Sequence, residues 1–538
     1  MNRFFLFLVI SISYSLFSQN DHIKTDIKLV VGIVVDQMKY EYIPRYWDKY
    51  SEGGFKRLVN GGFLAKNAHY SYYQTSTAPG HATIVTGTSP SFHRIIGNSW
   101  YDKKLDKNIY CVDDDRFNPL GTKSNIGKKS PKNLQSTTIS DENRIFTNFK
   151  GKSISVSFKD RSAVLSGGHT ANGVFWFHSS NEGVFVSSSY YFNKLPDWVE
   201  KFNNSRKVDE YIKTWDTLYN IKSYTESGSD LNNYEEKFLG QNATFPYDLK
   251  TLSKKENGDT DYQAITTSPY GNTFLKDFAL EALKNENLGE DKHIDFLHVN
   301  FSTPDHIGHK FGVNSKEVQD TYLRLDLDLK DLINNLDKKV GKGKYLIYLT
   351  ADHGATHVPK FLIDNKIPLK ELDLGDSLRE KDWSNLIKAY SNNYVFLNKE
   401  LIDNMEIDYE DAKELVKNGL KEIDGVYEVY DINDNNYMFS DGYYQSLIKN
   451  NSHPDLIGDL VVFLNPMYTT RYNSLGSSHG TPAFYDTHVP IIFYGAGIKT
   501  GYSNDIINVK DIVPTIASII GIGAPVSTTG KIISDAIK

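Results

Sequence analysis

Residues 74–90, QTSTAPGHATIVTGTSP, set three hydroxyls side by side: Thr75, Ser76 and Thr77. A proline, a glycine and an apolar run able to open a helix follow. An alcohol is a weak nucleophile at neutral pH and needs a base or a metal ion beside it. The chain offers partners of one kind. Asp36 closes the apolar run that begins at Ile27, and Asp305 and His309 stand four apart in STPDHIGHK. Asp352 and His353 are neighbours in TADHG, and His479 lies in the late segment SLGSSHGTPAFYDTHVP. These are hard oxygen and imidazole ligands with no thiolate among them, a donor chemistry that suits zinc in catalytic sites. One helical turn would put Asp305 and His309 on one face. Only a strand end or turn could aim both Asp352 and His353 at one ion. Singly, each has an ordinary explanation: Asp36 could cap a following helix, and His309 or His479 could be loop histidines. His488 reads as structural. The signal lies in the set.

The elements that must hold this set are short apolar runs ending in polar clusters. They begin at Ile27, Ile154, Ile294, Lys344, Asp459 and Val489. Continuous β-branched runs of this length read as strands buried on both faces, as in a parallel sheet. Between them lie helical patterns. Val318, Tyr322, Leu325, Leu329, Leu332, Ile333 and Leu336 recur at steps of mostly three and four behind Ser315, a suitable cap. Residues 273–288 and 511–520 are similar. The alternation predicts an α/β fold, a doubly wound, mainly parallel sheet with helices on both faces. In such sheets ligands bind beyond the carboxyl ends of the strands, where Asp36, Asp305, His309, Asp352 and His353 all fall. Residues 101–150 and 359–455 fit the alternation poorly and read as cap insertions. Thr77 falls just before a helix start, where N–H groups favour an anionic phosphate; this does not choose it over Ser76.

An aspartate at the first strand end, T-x-P-G-H, D-x-x-x-H, A-D-H-G, and H-G-T followed by Y-D-x-H-V-P together resemble the alkaline phosphatase superfamily. The likeness is greatest to the secreted broad-spectrum bacterial enzymes of the PafA type. The motifs span residues 30–490. The resemblance implies two Zn2+ ions, one held by Asp305, His309 and His479, the other by Asp36, Asp352 and His353, with Thr77 as nucleophile completing its sphere. It implies a phospho-threonine intermediate and phosphate-contacting roles for Asn98, Lys159 and Arg161. The residues themselves allow the last pair either role. Two apart on a strand they would share a face and could fork a phosphate, or merely solvate a strand end. Cationic donors favour a monoester dianion over a diester, so phosphate monoesters are the expected substrates. A sulfatase is disfavoured, because threonine at position 77 cannot be oxidised to the aldehyde that those enzymes use. The alternatives are a nucleotide pyrophosphatase or phosphodiesterase on the same site, a phosphoryl transferase, and a non-catalytic, metal-stabilised envelope protein.

Composition bounds the rest. Of 538 residues, 60 are basic and 67 acidic, a net charge of −7 that argues against a nucleic acid duplex as partner. Residues 1–18 read as a signal peptide, with Arg3 before an apolar stretch too short to span a bilayer. Residues 19–538 then form one catalytic domain, expected to be periplasmic or secreted, without membrane anchor, and monomeric. The lone cysteine, Cys111, leaves no intramolecular disulfide.

Overall fold

The computed structural model describes residues 26–180, 182–379, 381–434, 442–465, 468–469 and 475–538. The leader expected at residues 1–18 lies outside them. Its frame is a ten-stranded sheet. In chain order the strands are β1 (Leu29–Val35), β2 (Phe63–His69), β3 (Pro119–Leu120), β4 (Ser153–Ser157), β5 (Gly173–His178), β6 (Val184–Ser188), β7 (Asp295–Phe301) and β8 (Tyr345–Thr350). Four strands of a second sheet follow: β9 (Ile387–Ser391), β10 (Tyr394–Leu397), β11 (Val426–Asp431) and β12 (Leu460–Leu464). Then β13 (His488–Gly495) and β14 (Gly501–Asn508) return to the first sheet. Its order is β14-β2-β13-β8-β1-β7-β4-β5-β6-β3. Every residue of β1, LVVGIVV, is buried, as expected of a strand covered on both faces.

The centre, β8-β1-β7-β4-β5, is parallel throughout. On one side β13 runs antiparallel to both β8 and β2, and on the other β6 is antiparallel to β5. The sheet is therefore mixed and mainly parallel. The run at Asp459 does form a strand, but in the second, antiparallel sheet of order β9-β10-β12-β11. Apolar composition reports burial on two faces; it does not report which sheet does the burying.

The helices used below are α1 (Thr77–Thr86), α2 (Ile139–Phe146), α3 (Asp160–Gly167), α4 (Tyr270–Asn285), α5 (Thr303–Phe311), α6 (Lys316–Leu336), α7 (Tyr409–Lys421) and α8 (Ile512–Ile520). Ser315 caps α6, its hydroxyl accepting from the Val318 N–H. All ten residues of α1 are buried, so this helix lies inside the protein rather than on it. The second sheet explains part of that burial. Alternate residues of its strands face opposite ways. Val395, Leu460 and Val462 pack with Val416 and Leu420 of α7. Phe396, Val461 and Phe463 pack with Tyr73, Ala78 and Ala82 around the start of α1.

Candidate metal centre and nucleophile

Four adjacent parallel strands, β8, β1, β7 and β4, point their carboxyl ends to one edge, roughly 5 Å apart. Asp352 and His353 follow β8, Asp36 follows β1, α5 with Asp305 and His309 follows β7, and Lys159 and Arg161 follow β4. His479 arrives by another route. Because β13 is antiparallel to β8, the segment entering it comes in at this same edge. Gly476 lets that segment pass against α5: its φ is +63°, and a Cβ there would lie 2.0 Å from the His309 carbonyl oxygen.

Two three-residue clusters result, Asp305–His309–His479 and Asp36–Asp352–His353. In the first, Asp305 Oδ1 lies 3.1 Å from His309 Nε2 and 3.6 Å from His479 Nε2. In the second, His353 Nε2 lies 3.4 Å from Asp36 Oδ1 and 3.5 Å from Asp352 Oδ2. The His353 and His479 rings stack, 3.5 Å between centroids, so the clusters adjoin. Each imidazole turns Nδ1 to a backbone carbonyl: His309 to Ser477 at 2.8 Å, His479 to Thr75 at 3.0 Å, His353 to Gly354 at 3.0 Å. That arrangement fixes the tautomer and leaves Nε2 for a metal.

The donor set fits divalent cations on two counts. Asp36 Oδ1, Asp352 Oδ2 and His353 Nε2 are buried with no hydrogen-bond partner, a costly state for polar atoms. And three buried carboxylates, Asp36, Asp305 and Asp352, face a single ammonium among the described residues. Lys159 Nζ lies 2.7 Å from Asp36 Oδ2 and 2.5 Å from Asp305 Oδ2. Burial, with the Asp352 charge adding to it, pushes Asp36 well above the usual carboxylate range. Burial raises Asp352 to about 6 against the pull of Lys159. Asp305 goes the other way. Burial would raise it, but His309 and Lys159 hold it well below. Burial lowers His353 to about 3, keeping it a neutral ligand.

The three hydroxyls are sorted by their contacts. Thr75 Oγ1 donates to the Thr481 carbonyl at 2.6 Å. Ser76 is the N-cap of α1 without a side-chain cap bond, and its hydroxyl is buried without a partner. Thr77 is the first residue of α1, and its Oγ1 accepts from Arg161 Nη2 at 3.5 Å. Asn98 Oδ1 accepts from the Ala78 N–H at 2.9 Å, which brings its amide beside the same helix start. Gly80 lets α1 pack against the end of β8, since a Cβ there would lie 2.3 Å from the Asp352 carbonyl oxygen.

Lys159 and Arg161 are not on a strand. β4 ends at Ser157, Lys159 is the N-cap of α3 and Arg161 sits in its first turn. They reach different places, Lys159 to the carboxylates between the clusters and Arg161 to Thr77. Three supports escaped the sequence reading. The Gln37 backbone N–H donates to Asp352 Oδ1 at 3.2 Å and its side chain to Asp305 Oδ1 at 2.7 Å, which joins the clusters. The Tyr110 hydroxyl accepts from Arg161 at 3.2 Å and donates to Asp160 at 2.6 Å. Asp486 Oδ2 accepts from the Thr481 N–H at 2.9 Å and hydroxyl at 2.7 Å. Only Asp486 left a signal, the Y-D-x-H-V-P motif. His488, read as structural, donates from Nε2 to the Lys66 carbonyl, 2.8 Å away and outside both clusters.

Fold and site together define an α/β protein with a candidate binuclear metal centre beside a helix-borne threonine. Residues 30–486 match the family model for type I phosphodiesterase / nucleotide pyrophosphatase. The alkaline phosphatase PhoV of Synechococcus elongatus is 42% identical over 95% of this chain and 93% of its own. The alkaline phosphatase PafA of Elizabethkingia meningoseptica is 40% identical over 95% and 94%. A solved PafA structure superposes with a TM-score of 0.90, covering 95% of this chain and 99% of that one. A PafA variant substituted at one threonine, one asparagine, one lysine and one arginine gives 0.89 at 39% identity. The chain belongs to the type I phosphodiesterase / nucleotide pyrophosphatase family and, within it, stands with the PafA and PhoV alkaline phosphatases.

Proposed function

We propose that the protein is an alkaline phosphatase that hydrolyses phosphate monoesters of broad type, with Thr77 as nucleophile and two Zn2+ as cofactors. The observation that carries this is one juxtaposition: two carboxylate–imidazole clusters, and beside them a buried threonine at a helix start, within reach of an arginine. Asp305, His309 and His479 would hold one ion, Asp36, Asp352 and His353 the other. Bound there, zinc supplies Lewis-acid stabilisation of alkoxide and phosphoryl charge.

The chain's own residues do the rest. The start of α1 and Arg161 orient the phosphoryl group against Thr77 Oγ1, and the Asn98 amide donates to a nonbridging oxygen. Thr77 Oγ1 attacks phosphorus in line as the bond to the leaving oxygen breaks, and the alcohol departs with a proton. Water then attacks the phospho-threonine, the P–Oγ1 bond breaks, and phosphate and the free threonine are restored. Lys159, between Asp36 and Asp305, holds the clusters together and offsets their charge. The substituted positions of the PafA variant are the same four residue types, in the same order, as Thr77, Asn98, Lys159 and Arg161. That supports their assignment as one functional set. The reading includes a monomer working in the periplasm or outside the cell. Among the described residues, no helix is long and apolar enough to cross a membrane.

A diesterase is the second reading, favoured by the name of the family model. The deciding experiment compares kcat/KM for 4-nitrophenyl phosphate and its methyl diester on zinc-loaded protein. A strong monoester preference is expected. Replacing Lys159 and Arg161 together by alanine should depress the monoester reaction more. A diester preference in the unaltered protein would move it to the phosphodiesterase branch.

A further inference from the structure

A cavity of about 370 Å³ opens beside His479, between the segment that carries it and the second sheet. Tyr73, Tyr443, Tyr444, Phe463 and Phe484 give it aromatic walls, and His479 itself is part of its lining. The rings already pack edge to face. Tyr73 and Phe463 lie 4.6 Å apart at 89°, and Tyr444 and Phe463 lie 5.0 Å apart at 70°. Towards solvent two large rings stay uncovered, Tyr443 at 66% exposure and Phe484 at 64%. Among the described residues, the lining holds no lysine or arginine, and its one carboxylate, Asp486, is buried and turned to Thr481. None of Asn98, Lys159 or Arg161 lines it. The cavity is therefore separate from Asn98 and Arg161, the donors assigned to the phosphoryl oxygens, and shares His479 with one metal cluster.

We propose that this cavity receives the leaving group of the substrate, and that among phosphate monoesters it favours those of aromatic alcohols. The inference rests on the phosphatase reading and deepens it. An in-line reaction places the leaving group away from Thr77, and a pocket lined in part by His479 of the Asp305–His309–His479 cluster is where that group can extend. Size and chemistry agree. Ligand pockets begin at about 300 Å³ and are mostly apolar and aromatic with few polar groups. Planar rings gain from edge-to-face neighbours, which this wall supplies.

The test uses unreactive probes, so that leaving-group acidity plays no part. Methylphosphonate and benzylphosphonate share a head group and differ by one phenyl ring. Their inhibition constants are measured on zinc-loaded protein against 4-nitrophenyl phosphate. Benzylphosphonate should bind roughly tenfold more tightly, the scale of one or two aromatic contacts. The ratio should fall towards one in Phe484→Ala and in Tyr443→Ala, both exposed positions whose truncation leaves the core intact. Equal constants for the two probes, or a ratio that neither variant moves, would overturn the pocket while leaving the phosphatase reading in place. If inorganic phosphate and both phosphonates fail to inhibit and no monoester turns over, the phosphatase reading falls, and the pocket assignment falls with it.

Discussion

The proposed chemistry at Thr77 depends on neighbours that hold it rather than on its type. Thr75 is tied to Thr481, whereas Thr77 meets Arg161 at the start of a buried helix. Thr77→Ala should abolish phospho-enzyme formation and lower kcat by at least about 10³-fold, read by trapping labelled enzyme and by steady-state rates. Undiminished turnover would remove Thr77 from its role. Asp486 makes the complementary prediction. It holds Thr481, whose carbonyl holds Thr75, whose carbonyl orients His479. Its own backbone carbonyl accepts from Gly354, whose carbonyl orients His353. Asp486→Ala removes the oxygen that accepts both Thr481 bonds. Zinc retention should weaken roughly 10- to 100-fold in chelator competition, as is usual for residues behind metal ligands. Unchanged retention would make Asp486 a packing residue only.

Among the elements, α4 and α6 pack together at a buried charge. Asp328 of α6 accepts from Thr273 of α4 at 3.0 Å. Burial raises its carboxyl to about 7, despite the nearby Lys276. An unfolded aspartate titrates near about 4, so the folded state keeps the proton more tightly. The stability this contributes is present at low pH and lost as pH rises from about 4 through about 7. Asp328→Asn removes the titration. Its melting temperature relative to the unaltered protein should therefore improve on going from pH 5 to pH 8, by a few degrees. A constant difference would show that Asp328 does not titrate in this window.

For the whole molecule, the clusters join segments far apart in sequence: Asp36, the α5 pair, the β8 end and His479. Cations there would neutralise carboxylates that Lys159 alone does not balance. Chelation should stop turnover and lower the melting temperature by several degrees, and added Zn2+ should restore both. Metal analysis of the restored protein should find two zinc per chain. A melting curve indifferent to chelator would mean that the hydrogen bonds of Gln37 and Lys159 hold these segments without metal.

How much was legible follows from what each signal depends on. The buried strands, the Asp305–His309 helical turn and the cap at Ser315 were readable because burial and helical period leave their mark on residue types locally. The residue types of the two candidate clusters were readable because metal chemistry narrows them to carboxylate and imidazole. What the sequence could not express was direction and distance. The run at Val489 looks like any buried strand, yet only its antiparallel course delivers His479 to the carboxyl ends of β8 and β1. Lys159 and Arg161 carry the same charge at neighbouring positions. Only the end of β4 at Ser157 and the start of α3 send one to the carboxylates and the other to Thr77. The cavity beside His479 exists because a second sheet, built from residues 387–464, packs against the start of α1. Local sequence determined which groups could do this chemistry, whereas tertiary packing decided which of them meet, because closeness in space arises from strand order and direction rather than from spacing along the chain.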